Sequence, residues 1–478
     1  MPRIVLFCCF VFFAVAACAP AVQAPRTGNQ AAPASVRAPL PAPAPATGAV
    51  TATEDPRIHE IVGAASPARV ERDIRRLEAF GTRHTLADTL SPTRGIGAAR
   101  RWIFAEFERI SAACGGCLEV MYISDVLAAG AHPRIPTEVN IVNVVAVQRG
   151  STEPDRRVIV QGHYDSRVTD VLDAVSDAPG ANDNASGTAA VLEAARLLTR
   201  YTFDGTIVYA ALAGEEQGLL GGEIFAEHAL REGWRVEGVL NNDIIGNSRG
   251  ITGLVDNTTA RVFAPGIRPD ATEAELRRML SSGGELDNPT RQLGRYIVRT
   301  ADLYVPTLAM QLIYRLDRFG RGSDHGPFFL RGFPAVRISE THEDYTRQHQ
   351  DLRVEGGIAY GDVADEVDFP YAARITALNA AALASLSWAP ASPRNVSVAG
   401  AVQPHTTLRW EAVGSQNLAG FRVYWREPTS AAWTHSRWVG NVTEYVLENV
   451  VIDNYFFGVA AVSRTGQESL VVFPAPGR

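Results

Sequence analysis

The sequence predicts an α/β domain on a mostly parallel mixed sheet sandwiched by helices, followed by an all-β sandwich. Three observations carry this. From about residue 55 to residue 388, apolar runs of strand length alternate with segments of helical period. Composition then changes at Ala389-Pro390. Beyond it, short alternating runs are separated by turns rich in Gly, Asn and Pro, with no helical period. A chain of 478 residues is also too long for one hydrophobic core, so two or three domains are expected.

The elements follow in order. Ser66-Pro67 is a helix start, a capping residue followed by proline in the first turn, and Val70, Ile74 and Leu77 repeat at helical spacing until Gly81 stops them. A second helix is expected over residues 97–110, burying Ile103, Phe107 and Ile110. Residues 139–147 and 158–162 read as neighbouring strands, and 187–199 as a helix presenting Val191, Leu192, Ala195 and Leu198. Residues 250–300 read as an insertion or lid, helical over 273–280. A strand over 335–339 and a helix over 371–388 close the domain. The tail, 390–478, carries the runs Thr407-Leu408-Arg409-Trp410, Gly420 to Trp425 and Tyr455 to Val462.

The N-terminal residues bear on location. Arg3 precedes an apolar stretch from Ile4 to Ala17, too short to span a bilayer comfortably and laid out like an export signal. Val15-Ala16-Ala17-Cys18 resembles a bacterial lipobox. We expect a lipoprotein-type signal over 1–18 with a lipid anchor on Cys18, cleavage near Ala24 being the alternative. Ala19 after that cysteine favours onward sorting to the outer membrane; the protein would otherwise face the periplasm or be secreted. Residues 19–54, rich in Pro and Ala, have too little apolar surface to offset ordering entropy and read as a disordered tether.

Of 5 cysteines, only Cys114 and Cys117 lie in the folded part. One Cys-x-x-Cys without a second pair does not make a structural zinc site, and in an oxidising compartment a local disulfide is expected. The net charge of −7 and the absence of a basic block exclude nucleic acid as an expected partner.

Polar residues that could hold cations end several apolar runs. His163 closes Val158–Gly162, with Asp165 two residues on and able to orient its ring. Asp183 sits in the small-residue loop Gly180-Ala181-Asn182-Asp183-Asn184, where it could be merely a helix cap, or could bridge two cations through its two oxygens. Glu215-Glu216 ends the run beginning at Thr206; adjacent acids repel unless a cation or proton resolves the conflict. Asp243 follows Val239 to Asn242, and His349 sits in Gln348-His349-Gln350-Asp351. Each is weak alone. Their succession just beyond strand ends, where open α/β sheets collect ligands, is the signal.

Together these residues resemble peptidase family M28, the di-zinc peptidases that include bacterial leucyl aminopeptidases, over most of residues 55–388. The resemblance implies a zinc-exopeptidase-like fold and two Zn²⁺ per chain. His163 and Asp243 would hold one ion, Glu216 and His349 the other, with Asp183 bridging. Glu215 would be the general base acting on a water held by the metals, and Asp165 would support His163. Tyr314 is a candidate for steadying the tetrahedral intermediate. His325, in Ser323-Asp324-His325-Gly326-Pro327-Phe328, could face substrate or be structural. Asn184 stands where well-known members carry a second Asp.

The implied activity is an exported aminopeptidase releasing N-terminal residues from peptides. A carboxypeptidase on the same fold and a glutaminyl cyclase-like acyltransferase are alternatives; cyclases typically hold one zinc and lack the first histidine. A metal-free receptor or scaffold is the third class. Trp410, Tyr424 and the run from Tyr455 to Gly466 resemble a fibronectin type III module, which implies a spacing domain or one with a protein or glycan partner.

Overall fold

Alternation along the apolar runs decides which face each residue buries. In the computed structural model, which describes residues 54–477, Val158 and Val160 enter one core while Ile159 enters another, and Ile207, Tyr209 and Ala211 are likewise separated from Val208, Ala210 and Leu212. Both faces of this sheet are covered, which is why its central strands read as unbroken apolar runs. The expected signal peptide, the Cys18 anchor and the tether up to residue 53 lie outside the described residues.

The strands are β1 (Leu118–Leu127), β2 (Val139–Gln148), β3 (Glu153–His163), β4 (Gly205–Leu212), β5 (Arg235–Asn242), β6 (Thr259–Phe263), β7 (Ala309–Ile313) and β8 (Ala335–Glu340). They form one sheet in the order β1-β2-β4-β3-β5-β8-β6-β7. The centre, β4-β3-β5-β8, is parallel, β1 and β2 are added antiparallel, and β6 runs against β8. The sheet is therefore mixed around a parallel core. One expectation fails: β2 and β3 are not neighbours, because β4 inserts between them. Apolar runs mark strands but do not encode their lateral order.

The helices are α1 (Pro56–Gly63), α2 (Pro67–Glu78), α3 (Gly95–Ala113), α4 (Gly187–Leu198), α5 (Leu220–Arg231), α6 (Glu273–Ser282), α7 (Pro289–Tyr304), α8 (His325–Leu330) and α9 (Phe369–Trp388). Ser66 caps α2 by accepting the Arg69 N–H, as its sequence predicts. The larger core draws on α1–α4, α7 and α9; α5 and α8 cover the other face through Phe225 and Phe328. The α6 helix exists, but it packs toward the C-terminal region. Its Glu275, Met279 and Ser282 line a cavity of about 650 Å³ with residues 470–476, and Gly283 abuts Phe456.

A hairpin of β9 (Arg353–Glu355) and β10 (Ile358–Tyr360) precedes α9. After α9 come β11 (Arg394–Ala399), β12 (Thr406–Glu411), β13 (Leu418–Arg426), β14 (His435–Gly440), β15 (Glu444–Leu447), β16 (Phe456–Ser463) and β17 (Ala475–Pro476). These make two sheets, β15-β12-β11-β17 and β14-β13-β16, enclosing a core of Val396, Leu408 and Trp410 against Phe421, Val423 and Val459. All described residues belong to one compact unit. Ion pairs join this β domain to the α/β domain: Arg426 to Asp287 at 2.5 Å, buried, and Arg299 to Glu468 at 2.7 Å, part-exposed. Cys114 and Cys117 form a disulfide at the end of α3.

Candidate metal centre

Parallel pairing aligns the carboxyl ends of β3, β4, β5 and β8 along one rim. His163 is the last residue of β3, Glu215 and Glu216 follow β4, Asp243 follows β5, and the segment to His349 leaves β8. Asp183 arrives from an irregular turn, Ala181–Ser186, just before α4. Two glycines let that turn approach. A Cβ on Gly187 would lie 2.3 Å from the Asn242 carbonyl oxygen, and one on Gly162 would lie 2.7 Å from the Gly187 carbonyl carbon. The turn is then pinned by Asp362, whose carboxylate accepts the N–H of Asn182 at 2.8 Å and of Asp183 at 2.6 Å.

The rim gathers five of the residues singled out in the sequence into two groups. His163 Nε2 lies 3.3 Å from Asp183 Oδ1 and 3.9 Å from Asp243 Oδ1. His349 Nε2 lies 3.0 Å from both Asp183 Oδ2 and Glu216 Oε1. Each group brings its ligand atoms within 4.8 Å of one another, and Asp183 belongs to both. His349 holds a left-handed backbone (φ 56°), an uncommon conformation for a side-chain-bearing residue.

The electrostatics suit cations. His163 Nε2 and Glu216 Oε1 are buried without a hydrogen-bond partner. Such orphans are costly in a protein interior unless another group satisfies them. Burial alone would lower the His163 pKa, but Glu215, Asp165, Asp183 and Asp243 outweigh it and hold the ring well above its ordinary value. The acids do the same at His349, against burial, raising it to about 9. Mixed imidazole and carboxylate donors fit divalent zinc, and the shared Asp183 fits two ions.

Glu215 stands at the mouth, part-exposed, and its carboxylate makes no hydrogen bond. Burial pushes its pKa well above the usual carboxylate range; His163 opposes this, while Asp243 and Glu216 add to it. Asp165 does more than orient His163, whose Nδ1 is 3.4 Å from Asp165 Oδ1. Its carboxylate also accepts the Glu215 N–H at 3.3 Å, the Glu216 N–H at 3.1 Å and the Thr85 hydroxyl at 3.1 Å.

Tyr314 is elsewhere. β6 runs against β8 and β7 runs with β6, so the chain leaves β7 at the rim opposite the metal ligands. There the Tyr314 hydroxyl accepts from Arg295 at 3.1 Å, and Arg291 stacks on its ring at 3.7 Å. His325 Nε2 bonds the Leu316 carbonyl at 2.7 Å, a structural contact.

Several groups at the centre are not evident from the sequence. Arg167 donates to Glu216 Oε2 at 2.8 Å, and its Nη2 lies 2.5 Å from His349 Nδ1. Ser323 donates to Asp243 Oδ2 at 2.5 Å, and Arg337 lies 3.1 Å from Asp243 Oδ1. Arg337 carried a readable signal: a charged residue inside the apolar run Ala335-Val336-Arg337-Ile338. Arg167 sits in a loop without periodicity and carried none.

Comparison with known proteins agrees with this geometry. A model of peptidase family M28 matches residues 143–353. A probable zinc metalloprotease of Leptosphaeria maculans is 45% identical over 431 residues, covering 90% of this chain and 99% of that protein. Another, from Pyrenophora tritici-repentis, is 43% identical over 426 residues, with 88% of each covered. The fold is shared with the LapA aminopeptidase of Legionella pneumophila (TM-score 0.51, 18% identity, 71% of this chain and 76% of that one). LapB from the same organism matches equally (0.51, 18%, 70% and 76%). Fold and relatives together define a zinc metallopeptidase. The chain belongs to peptidase family M28. These curated relatives are fungal, whereas the motifs alone resemble bacterial leucyl aminopeptidases.

Proposed function

We propose that the chain is a two-zinc exopeptidase, an aminopeptidase removing N-terminal residues from peptides. The observation that carries this reading is the position of Asp183 between two ligand groups. His163 and Asp243 would hold one ion and Glu216 and His349 the other, with Asp183 shared by both. When bound, zinc polarises the scissile carbonyl and makes water a competent nucleophile near neutral pH.

The rest is done by side chains. Glu215 takes the proton of the attacking water and returns it to the leaving amine. Asp165 ties the His163 ring to the Glu215–Glu216 turn, so one carboxylate positions both a ligand and the base. Arg167 holds Glu216 and His349 as a pair, and Ser323 with Arg337 orients Asp243. The leader and the Cys114–Cys117 disulfide support an exported protein. We read residues 390–478 as a fibronectin type III-like module, spacing the enzyme or binding a protein or glycan.

Purified chain from residue 54 should hydrolyse aminoacyl-nitroanilides with free N-termini, spare N-blocked ones and carry two zinc ions. Chelation should abolish turnover. One tightly bound zinc per chain, or preference for blocked N-termini, would sink the reading.

A further inference from the structure

Next to the Asp183 turn lies a chamber of about 10 Å³ that peptide hydrolysis does not use. Four carboxylates line it, Glu340, Asp344, Asp362 and Glu366, against one cation, Arg347. Arg347 is already engaged, 3.1 Å from Glu366 and 3.9 Å from Asp344. Glu340 is 0% exposed. Its Oε2 accepts from Asn182 Nδ2 at 2.8 Å and the Asn247 N–H at 2.7 Å, but its Oε1 has no partner.

Arg83 and Arg261 act on Asp362 and Glu340 only at longer range, because their hydrogen bonds go elsewhere. Arg261 gives its Nε to the Glu340 backbone carbonyl at 2.6 Å and its charge to Glu343 at 2.6 Å. Arg83 spends its guanidinium on the carbonyls of Tyr164, Leu77, Pro179 and Gly180. Burial drives Glu340 well above the carboxylate range. A carboxylate enclosed in this way requires a proton, a water or a cation.

The volume admits one water-sized occupant. Besides Arg347 and Val367 the chamber is lined by the four carboxylates and by Asn182 and Asn247, and hard cations prefer oxygen donors such as these carboxylates. We propose that the chamber is a further cation site, holding a hard, oxygen-liganded ion of the calcium class between Glu340, Asp362 and Asp344. The ion would brace the bridging aspartate. Asn182 bonds Glu340 through its side chain and Asp362 through its N–H, and Asp183 is the next residue.

The test uses the full chain saturated with zinc, so that added calcium cannot enter the ligand groups at the rim. Calcium titrated by calorimetry should bind with one equivalent and raise Tm by about 2 °C or more. Glu340→Gln should lose both the heat and the shift while keeping its zinc. If that variant does not fold, Asp344→Asn, on the same chamber wall, should weaken calcium binding at least tenfold. No calcium-dependent heat or shift in the wild type overturns the proposal, as does an unchanged response in a folded variant.

Discussion

Two buried charge clusters lie at opposite rims of the main sheet, and they resolve their charge differently. At the carboxyl rim Asp165, Asp183, Glu215, Glu216 and Asp243 crowd together; Arg167 bonds Glu216 and Arg337 pairs with Asp243, while His163 Nε2 and Glu216 Oε1 are left without a hydrogen-bond partner. At the other rim, where the β domain docks, each acid is shared by two arginines. Asp287 receives Arg295 at 2.8 Å and Arg426 at 2.5 Å, and Glu468 receives Arg299 at 2.7 Å, Arg422 at 2.9 Å and the Tyr424 hydroxyl. The first cluster, rich in acids, suits the proposed metal centre. The second surrounds each acid with arginines from both domains and acts as a seam.

Asp183→Asn should break this contrast most. It removes the negative charge, and one of the two ligand oxygens, from the carboxylate shared by both groups. Metal content should fall, and turnover should drop beyond the roughly 10–100-fold that outer-shell changes cost at metal sites. Zinc analysis beside kinetics checks this; a variant retaining both ions and full rate would show that the groups are not bridged. Glu215→Gln separates binding from chemistry. Zinc should stay and kcat should fall by about 10²–10⁴-fold. Unchanged hydrolysis would remove Glu215 from the base role.

At the seam the same kind of substitution should act on stability instead. Arg426→Ala leaves Asp287 with Arg295 alone in a buried setting. Breaking a buried pair costs ~3–5 kcal/mol, and the remaining arginine keeps this case at the low end. Chemical denaturation should show the loss, while kcat on small substrates stays near wild type. A large fall in kcat with stability intact would mean that the seam shapes the active site.

Legibility in the sequence follows the same division. Of the candidate ligands, His163, Glu216 and Asp243 end or directly follow strands, so apolar runs point at them, and repulsion between adjacent acids flags Glu215 and Glu216. Arg167, Asp362 and Thr85 are invisible because irregular loops bring them in, and no period encodes a loop's path. Tyr314 misleads for a related reason. It follows an apolar run just as Asp243 does, but β6 and β7 run against β8, and sequence does not display strand direction. The insertion of β4 between β2 and β3 escapes for want of lateral order. The seam is the least readable part: Asp287 and Arg426 look like surface charges until two domains close over them.

The smallest effect sharpens the comparison through pH. Burial alone would raise the Glu468 pKa, but Arg299, Arg422 and Tyr424 outweigh it and hold the carboxyl below its ordinary value. A folded pKa below the unfolded one, about 4.3 for Glu, means that the seam's contribution is present above that pH. It is lost as pH falls through the lower, folded value, because protonation there removes the charge that Arg299 and Arg422 need. Stability measured on the acid side should therefore decline below about pH 4 in the wild type. Glu468→Gln should flatten that limb while lowering stability at neutral pH, since two arginines then lose their counter-charge. An acid limb equally steep in both proteins would assign the decline to other carboxylates and leave the seam without a pH-dependent part.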